Sequence, residues 1–410
     1  LSLKTDAQVI INEAIMAAMP DTAVKKALKG EDFSSGNLYL VAIGKAAWSM
    51  AKAASDILGE KIKDGVVITK YGHSNGDLAN IRIFEAGHPI PDDNSFATTN
   101  EAIKLVSHLN SSDKVLLLIS GGGSALFEKP LIPASMLEEL TQQLLASGAN
   151  IIEMNTIRKR LSGVKGGKFA KLCEPAQIFS IVLSDIIGDP LDMIASGPAY
   201  PDCSTSEQAC AIIKKYGITV TKEIDDLLQK EPPHELSNVT TKITGSVTQL
   251  CVAAEHACRR LGYEPIILTA SLSCEAKEAG SMLSSIAQYY NNTEKSLAFI
   301  MGGETVVRLK GDGKGGRNQE LALSAAINLE GLKDVAVFSV GSDGTDGPTD
   351  AAGGYVDTST KKVLSEKGID IYDVLENNDS YHALKICDGL IITGATGTNV
   401  NDLTVLLIKR

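Results

Sequence analysis

Apolar positions along this chain take two alternating forms: short unbroken runs of Val, Ile and Leu, and longer stretches in which apolar residues recur every three to four positions. The first form predicts buried strands and the second amphipathic helices. In the first half, strands are expected at 38–43, 66–69, 81–84, 115–119 and 178–183, with helices at 7–19, 95–109, 134–147 and 206–216. The stretch LYLVAIGKAAWSMAKAASDIL changes its period from two to 3.6 across Gly44 and Lys45, as a βα unit requires. Because the strand runs are uninterrupted rather than alternating, the sheet is predicted to be parallel and covered on both faces.

From 229 to 244 the text turns polar, holds two prolines and loses its apolar period, so a boundary is expected there. Beyond it the pattern resumes, with helices at 247–261, 274–289, 319–328 and 360–367. Strands are expected at 265–269, 296–301, 305–309, 335–340, 390–393 and 404–408. The pieces TVVRLK and TVLLIK read as antiparallel or edge strands. A chain of 410 residues is too long for one ordinary core. The expected organisation is therefore α/β throughout, in two domains, 1–235 with a Rossmann-like, mostly parallel sheet and 236–410 with a mixed sheet.

Composition narrows the class. Hydrophobic residues make up 44% and charged residues 22%, as in soluble globular proteins. The net charge of -11 argues against nonspecific nucleic-acid binding but leaves room for a local cluster of cations around an anionic substrate. There is no 18-residue uncharged apolar run, and the first helix, broken by Asp6 and Glu13, does not read as a signal peptide. Seven cysteines without paired spacing point to a reducing compartment, hence a cytoplasmic protein.

The candidate chemistry gathers at strand ends. VLLLISGGGSA passes from strand into Ser120, Gly121, Gly122, Gly123 and Ser124. Glycines without Cβ atoms let backbone amides converge on an anion, and a helix starting near Ala125 would favour the same charge. A tight structural turn is the plainer alternative. Lys45 stands at the start of a helix, where a cation is disfavoured unless an anion joins it. His88 and Asp92 sit in a proline-fixed loop. Residues 155–168 form a positive island in an acidic chain, with Arg158 suited to bidentate contact, Lys165 and Lys168 flanking Gly166-Gly167, and a solvated basic helix as the alternative. Asp185 and Asp189 follow a strand, where a carboxylate can accept a proton or hold Mg²⁺.

The second half adds GDGKGGRNQE, whose glycines suggest a mobile or ligand-wrapping loop and whose Lys314, Arg317 and Asn318 face an anion or cap a helix. Asp343, Asp346 and Asp350 crowd within eight residues, as a Mg²⁺ or substrate site or as a solvated turn. Thr398, Asn399 and Asn401 could bond a ligand or one another. Cys251, His256 and Cys258 share a helix without metal-ligand spacing. A Walker A loop is absent, and so is a Rossmann fingerprint with its downstream acid.

Taken together, VAIGKAAWSM, AGHPIPD, LLLISGGGSALFEKP, NTIRKRLSGVKGGK, VLSDIIGDPLDMIASGP, GGETVVRLKGDGKGGRNQELAL and VGSDGTDGPTDAAGGYVD resemble the class II glycerate kinases, whose C-terminal part is called the MOFRL domain. The resemblance runs from about residue 6 to 408. It implies two α/β domains with an interdomain cleft, ATP as cosubstrate, and phosphorylation of D-glycerate, usually at the 2-hydroxyl; the clustered carboxylates and cations of the loops add the expectation of Mg²⁺ with the nucleotide. The resemblance makes Lys45 and Arg317 the principal cations. The residues themselves offer Asp185 as general base or hydroxyl orienter with Asp189 as alternate, and Asp343 and Asp346 as contacts to Mg²⁺ or substrate, with these carboxylate roles interchangeable. The rival expectations are an NAD(P)H-dependent hydroxypyruvate reductase, a label some relatives have carried, and a non-catalytic sugar-acid binding protein. Oligomeric state is left open.

Overall fold

Strand Leu38–Ile43 (β1) is almost wholly buried and sits inside a sheet completed by Ile62–Lys70 (β2), Ile81–Ala86 (β3), Lys114–Ile119 (β4), Gln177–Leu183 (β5) and Val239–Gly245 (β6). A computed structural model describes residues 2–410. The order is β3-β2-β1-β4-β5-β6. Every pairing from β3 through β5 is parallel, with Val41 facing Val66 on one side and Leu117 on the other. A strand hydrogen-bonded on both edges and covered on both faces has no wet face, which accounts for the unbroken LYLVAI and KVLLLI runs.

After β1 the chain builds outward through β2 and β3, then returns to place β4 on the other flank of β1. The connections leaving β1 and β4 therefore diverge, and the crevice at such a switch point, beyond the carboxyl ends of the strands, is where open α/β sheets bind ligands. Gly44 and Lys45 leave β1 there, and Ser120 to Gly123 leave β4.

The second sheet contains Glu264–Leu272 (β7), Leu297–Gly303 (β8), Val335–Gly341 (β9), Gly353–Asp357 (β10), Leu390–Ile391 (β11) and Asp402–Ile408 (β12), in the order β11-β10-β9-β12-β8-β7. Only the β7 and β8 pair is parallel; the remaining pairings are antiparallel, so the sheet is mixed.

Four sequence expectations change. The polar 229–244 stretch is not a plain linker, because its end forms β6, an edge strand whose wet face explains its missing apolar period. Residues 305–309 are not a strand; only Val306 makes an isolated bridge, to Glu275. TVLLIK belongs to β12, an antiparallel strand as expected but central, between β9 and β8. Finally β10, GGYVD, was too short and glycine-rich to register as a strand.

Two compact units result, and both are discontinuous. One comprises Ala23–Ser184 and Asp189–Thr244; the other comprises Leu1–Thr22, Asp185–Gly188 and Gly245–Arg410. The first helix, Leu3–Ala17, thus joins the unit built by the end of the chain. It buries Ile10, Ile11 and Ala14 with Leu250, Cys251, Ala254 and Val405. Its buried Asp6 accepts from the Tyr263 hydroxyl and the Lys409 ammonium, both at 2.7 Å. Among the described residues, no helix is long and apolar enough to cross a membrane.

Candidate active site

In the unit carrying the parallel sheet, the loops after β1 and β4 are tied to each other. Lys45 donates its amide to Gly121 O at 2.8 Å, and Ala46 donates to Ser120 Oγ at 3.0 Å. Ser120 is buried, and its hydroxyl also reaches Ile43 O at 3.3 Å, so it locks the two loops together. Past it, among the described residues, the amides of Gly121, Gly122, Gly123 and Ser124 find no acceptor within the chain. Four successive unsatisfied donors make a nest for an anion.

Gly122 has φ +87, and a Cβ there would lie 3.0 Å from His88 Cδ2 and 3.2 Å from Lys45 Cε. His88 and Lys45 therefore converge on the glycine backbone from opposite sides of the sequence. The Lys45 ammonium has no hydrogen-bond or ion-pair partner among the described residues, whereas its main chain is held at both ends. Burial, followed by the Lys45 charge, holds the His88 imidazole below its ordinary pKa. A neutral imidazole beside an uncommitted ammonium leaves the lysine as the cation of this loop. Asp92, by contrast, caps helix Asp93–Val106 and accepts from Tyr71 at 2.7 Å.

The positive island is mostly internal. Lys165 has no exposed surface; its ammonium donates to Ser124 O (2.8 Å) and Phe127 O (3.1 Å) and pairs with Glu128 at 2.7 Å. Lys168 donates to the carbonyls of Lys159, Arg160 and Ser162 at the end of helix Ile151–Arg160, and burial lowers its pKa to about 8. Lys159 and Arg160 are buried against Asp192, Asp202 and Glu231. Of the five cations only Arg158 has a side chain with no hydrogen-bond or ion-pair partner of either kind, main-chain or side-chain, among the described residues. Lys165 is thus a strut beneath the glycine loop and not a ligand on it.

Opposite this strut, Ala195, Ser196 and Gly197 are three consecutive residues at positive φ, held by the amides of Gly166 and Gly167. Such strain in non-glycine residues persists only where the surroundings dictate it. The Ala195 methyl lies 2.6 Å from where a Gly123 Cβ would stand, and the Ser196 and Ser124 hydroxyls meet at 2.9 Å. Asp189, also at positive φ, has a buried carboxylate oxygen without a hydrogen bond.

The unit carrying the mixed sheet gathers a second set. Arg317 makes a bidentate contact with Asp402 (2.6 and 3.0 Å) and pairs with Glu304 at 2.9 Å. Desolvation disfavours its charge, but the two carboxylates outweigh this and raise its pKa above the ordinary value. Asn401 Nδ2 links Glu304 to the main-chain carbonyl of Asp185, at 3.3 Å each. Asp185, Glu304, Arg317, Asn401 and Asp402 therefore form one contiguous polar chain. Glu304 and Asp402 escaped notice in the sequence, although each is a carboxylate at the end of a strand run, Glu304 just after β8 and Asp402 opening β12.

Several expected ligands are spent on architecture. Asp346 is buried and accepts from the amides and side chains of Asn318 and Gln319 at 2.9 to 3.3 Å, capping helix Arg317–Ala326. Desolvation nevertheless lifts its pKa to about 6. Asn318 is buried too and accepts from Ser339 at 2.6 Å. Asp343 accepts from the Thr345 amide in a tight turn, and Asp350 takes the Tyr381 hydroxyl at 2.7 Å. Lys314 lies over the Tyr381 ring at 4.6 Å. The loop 311–316 is no mobile wrap: added Cβ atoms at Gly311, Gly313 and Gly315 would strike Asn377, Asp379 and Ser380. Its GDGKGG text matches the bare G-x-G-x-x-G spacing, but the residues before it are not a strand, as a dinucleotide fold demands.

Residues 343–346 do not fit a metal cage, since Asp346 gives its oxygens to the helix. No group of three His, Cys, Asp or Glu suited to a metal exists among the described residues.

Residues 6–229 match the family described as a domain of unknown function (DUF4147), and 297–402 match the MOFRL family. The chain is 52% identical to the D-glycerate 2-kinase of Thermotoga maritima and 43% identical to a glycerate 2-kinase of Pyrococcus horikoshii. The alignments cover 99% of both chains in the first case, and 97% of this chain and 96% of the relative in the second. A crystal structure of glycerate kinase from Thermotoga maritima superposes with a TM-score of 0.94 over 99% of each chain.

Proposed function

This chain belongs to the class II glycerate kinase family, with its C-terminal MOFRL region, and on that premise we propose that it transfers the γ-phosphoryl group of ATP to the 2-hydroxyl of D-glycerate. The observation that carries the reading is the nest at the end of β4: four amides without acceptors beside the uncommitted ammonium of Lys45. Phosphoryl transfer needs positioning and neutralisation of spread negative charge more than covalent chemistry. This loop offers both.

We assign roles within each unit. The amides of Gly121 to Ser124 and Lys45 hold phosphate oxygens. Arg317, fixed by Asp402 and Glu304, presents its charge to an anionic group, and Asp185 accepts the proton of the attacking hydroxyl. The hydroxyl oxygen bonds to the γ-phosphorus as the bond to ADP breaks. ATP would bring Mg²⁺ with it, and the ion would supply charge neutralisation on the phosphates, since Mg²⁺ is commonly held by substrate phosphates with few protein ligands. We place the enzyme in the cytoplasm, in keeping with its seven free cysteines.

The test is a pair of coupled assays on the purified protein, with the phosphorylated product assigned by ³¹P NMR. ADP and 2-phosphoglycerate are expected from glycerate and ATP. Nicotinamide oxidation with hydroxypyruvate and no ADP from glycerate would replace the kinase with a reductase; ligand binding without turnover would leave a binding protein.

A further inference from the structure

We propose that the groove bordered by helices Asp93–Val106, Ala134–Ala146 and Ile151–Arg160 receives the base and ribose of the nucleotide, and that Arg158 takes an oxygen of its phosphate chain. The proposal rests on the kinase reading and deepens it. The groove encloses about 620 Å³, within the range of small-molecule sites. Ile90, Pro91, Phe96, Leu137, Leu145 and Met154 form its apolar lining. Ile90 and Leu145 are 67% and 58% exposed, an uncovered surface that packing within the unit does not explain. Phe96 offers a ring for stacking, and Glu138, Thr141 and Gln142 bring polar groups to the edge of a base.

Two links join this groove to the glycine nest. Pro89 lines the groove, and the residue before it, His88, lies against Gly122 beside Lys45. On the other side Arg158 lines the groove while its charge acts on Lys165, whose ammonium holds Ser124 of the nest. Among the described residues Arg158 is also the only cation of the island left without a partner, and an unpaired guanidinium beside an apolar groove fits a ligand that is apolar at one end and anionic at the other. The comparably large cavity near Lys159 lacks that feature, because its lysine is already paired with Asp192 and Asp202.

Thr141 and Leu145 lie one turn apart on the groove side of helix Ala134–Ala146 and outside the core, so Thr141→Trp and Leu145→Glu block the groove without opening the fold. ATP binding is measured by isothermal titration, which needs no turnover, with inorganic tripolyphosphate as a second ligand and circular dichroism as the folding control. Both variants are expected to weaken ATP binding at least tenfold, to leave tripolyphosphate binding and the KM for glycerate within twofold, and to raise the KM for ATP. Arg158→Ala is expected to weaken both ligands. ATP affinity within twofold of the parent in both groove variants would overturn the proposal, as would an equal loss for tripolyphosphate. A parent protein that binds ATP but never phosphorylates glycerate would sink the kinase reading, while the titrations would still decide the groove.

Discussion

The ammonium of Lys165 donates to the main-chain carbonyl of Ser124 at 2.8 Å from a site with no solvent exposure. A flexible cation has thereby become a fixed support for the loop that presents four free amides. Burial pulls its pKa down, and only the Glu128 carboxylate opposes this strongly.

Replacing that support separates stability from activity. Lys165→Met leaves Glu128 buried without its partner and should destabilise the protein by about 3–5 kcal/mol, the usual consequence of breaking a buried pair. Adding Glu128→Leu should recover most of the loss in urea unfolding. The Ser124 and Phe127 carbonyls remain untied in the double variant, so kcat/KM should stay at least tenfold low. Full recovery of both quantities would reduce Lys165 to a stability element.

Lys45 should behave in the opposite way. Its side chain has no partner among the described residues to lose, so Lys45→Ala should leave the thermal midpoint nearly unchanged while lowering kcat/KM on the order of 100-fold or more, the scale for removing a transition-state donor. Near-parent turnover would dismiss it from the site. Gly122→Ala should damage both, because alanine at φ +87 is strained by roughly 1–2 kcal/mol and its methyl meets His88 and Lys45.

Arg317 carries both duties. Arg317→Ala strands Asp402, whose carboxyl is buried and already held above its ordinary pKa by desolvation. Melting temperature and turnover should therefore fall together. In Arg317→Ala with Asp402→Asn the melting temperature should return most of the way without restoring turnover. Restored turnover would make the arginine architectural.

Asp346 predicts a pH signature. Its folded pKa, about 6, lies above the unfolded value near 3.8 because burial disfavours its charge. The folded state therefore binds the proton more tightly, and the contribution to stability is fully present below about 3.8 and lost as pH rises through 6. Relative to Asp346→Asn, the parent should gain stability on going from pH 7 to pH 4 in chemical denaturation. A pH-independent difference between the two proteins would show that the carboxyl titrates normally.

Much of the first sheet was legible because its strands are buried on both faces, leaving LYLVAI and KVLLLI as unbroken apolar words with glycine immediately after. β6 was not, since an edge strand with a wet face has no such run. The glycine loop and Lys45 could be read from residue type and position alone. The fates of Lys165, Asn318 and Asp346 could not, because whether a polar side chain points to a ligand or into its own fold depends on partners far along the chain, such as Glu128 or Ser339. The glycines of 311–316 misled for the same reason: crowding by Asn377 and Ser380, not mobility, requires them.

The first helix has a timing problem. Ile10, Ile11 and Ala14 emerge from the ribosome well before Leu250, Cys251 and Ala254, which cover them and follow some 240 positions later, with Val405 later still. At ~5–20 residues per second the helix waits on the order of ten to fifty seconds with its apolar stripe exposed. During synthesis that stripe is a natural station for a chaperone. The protein's assembly is governed less by how fast each sheet closes than by how long this helix can be kept from sticking elsewhere.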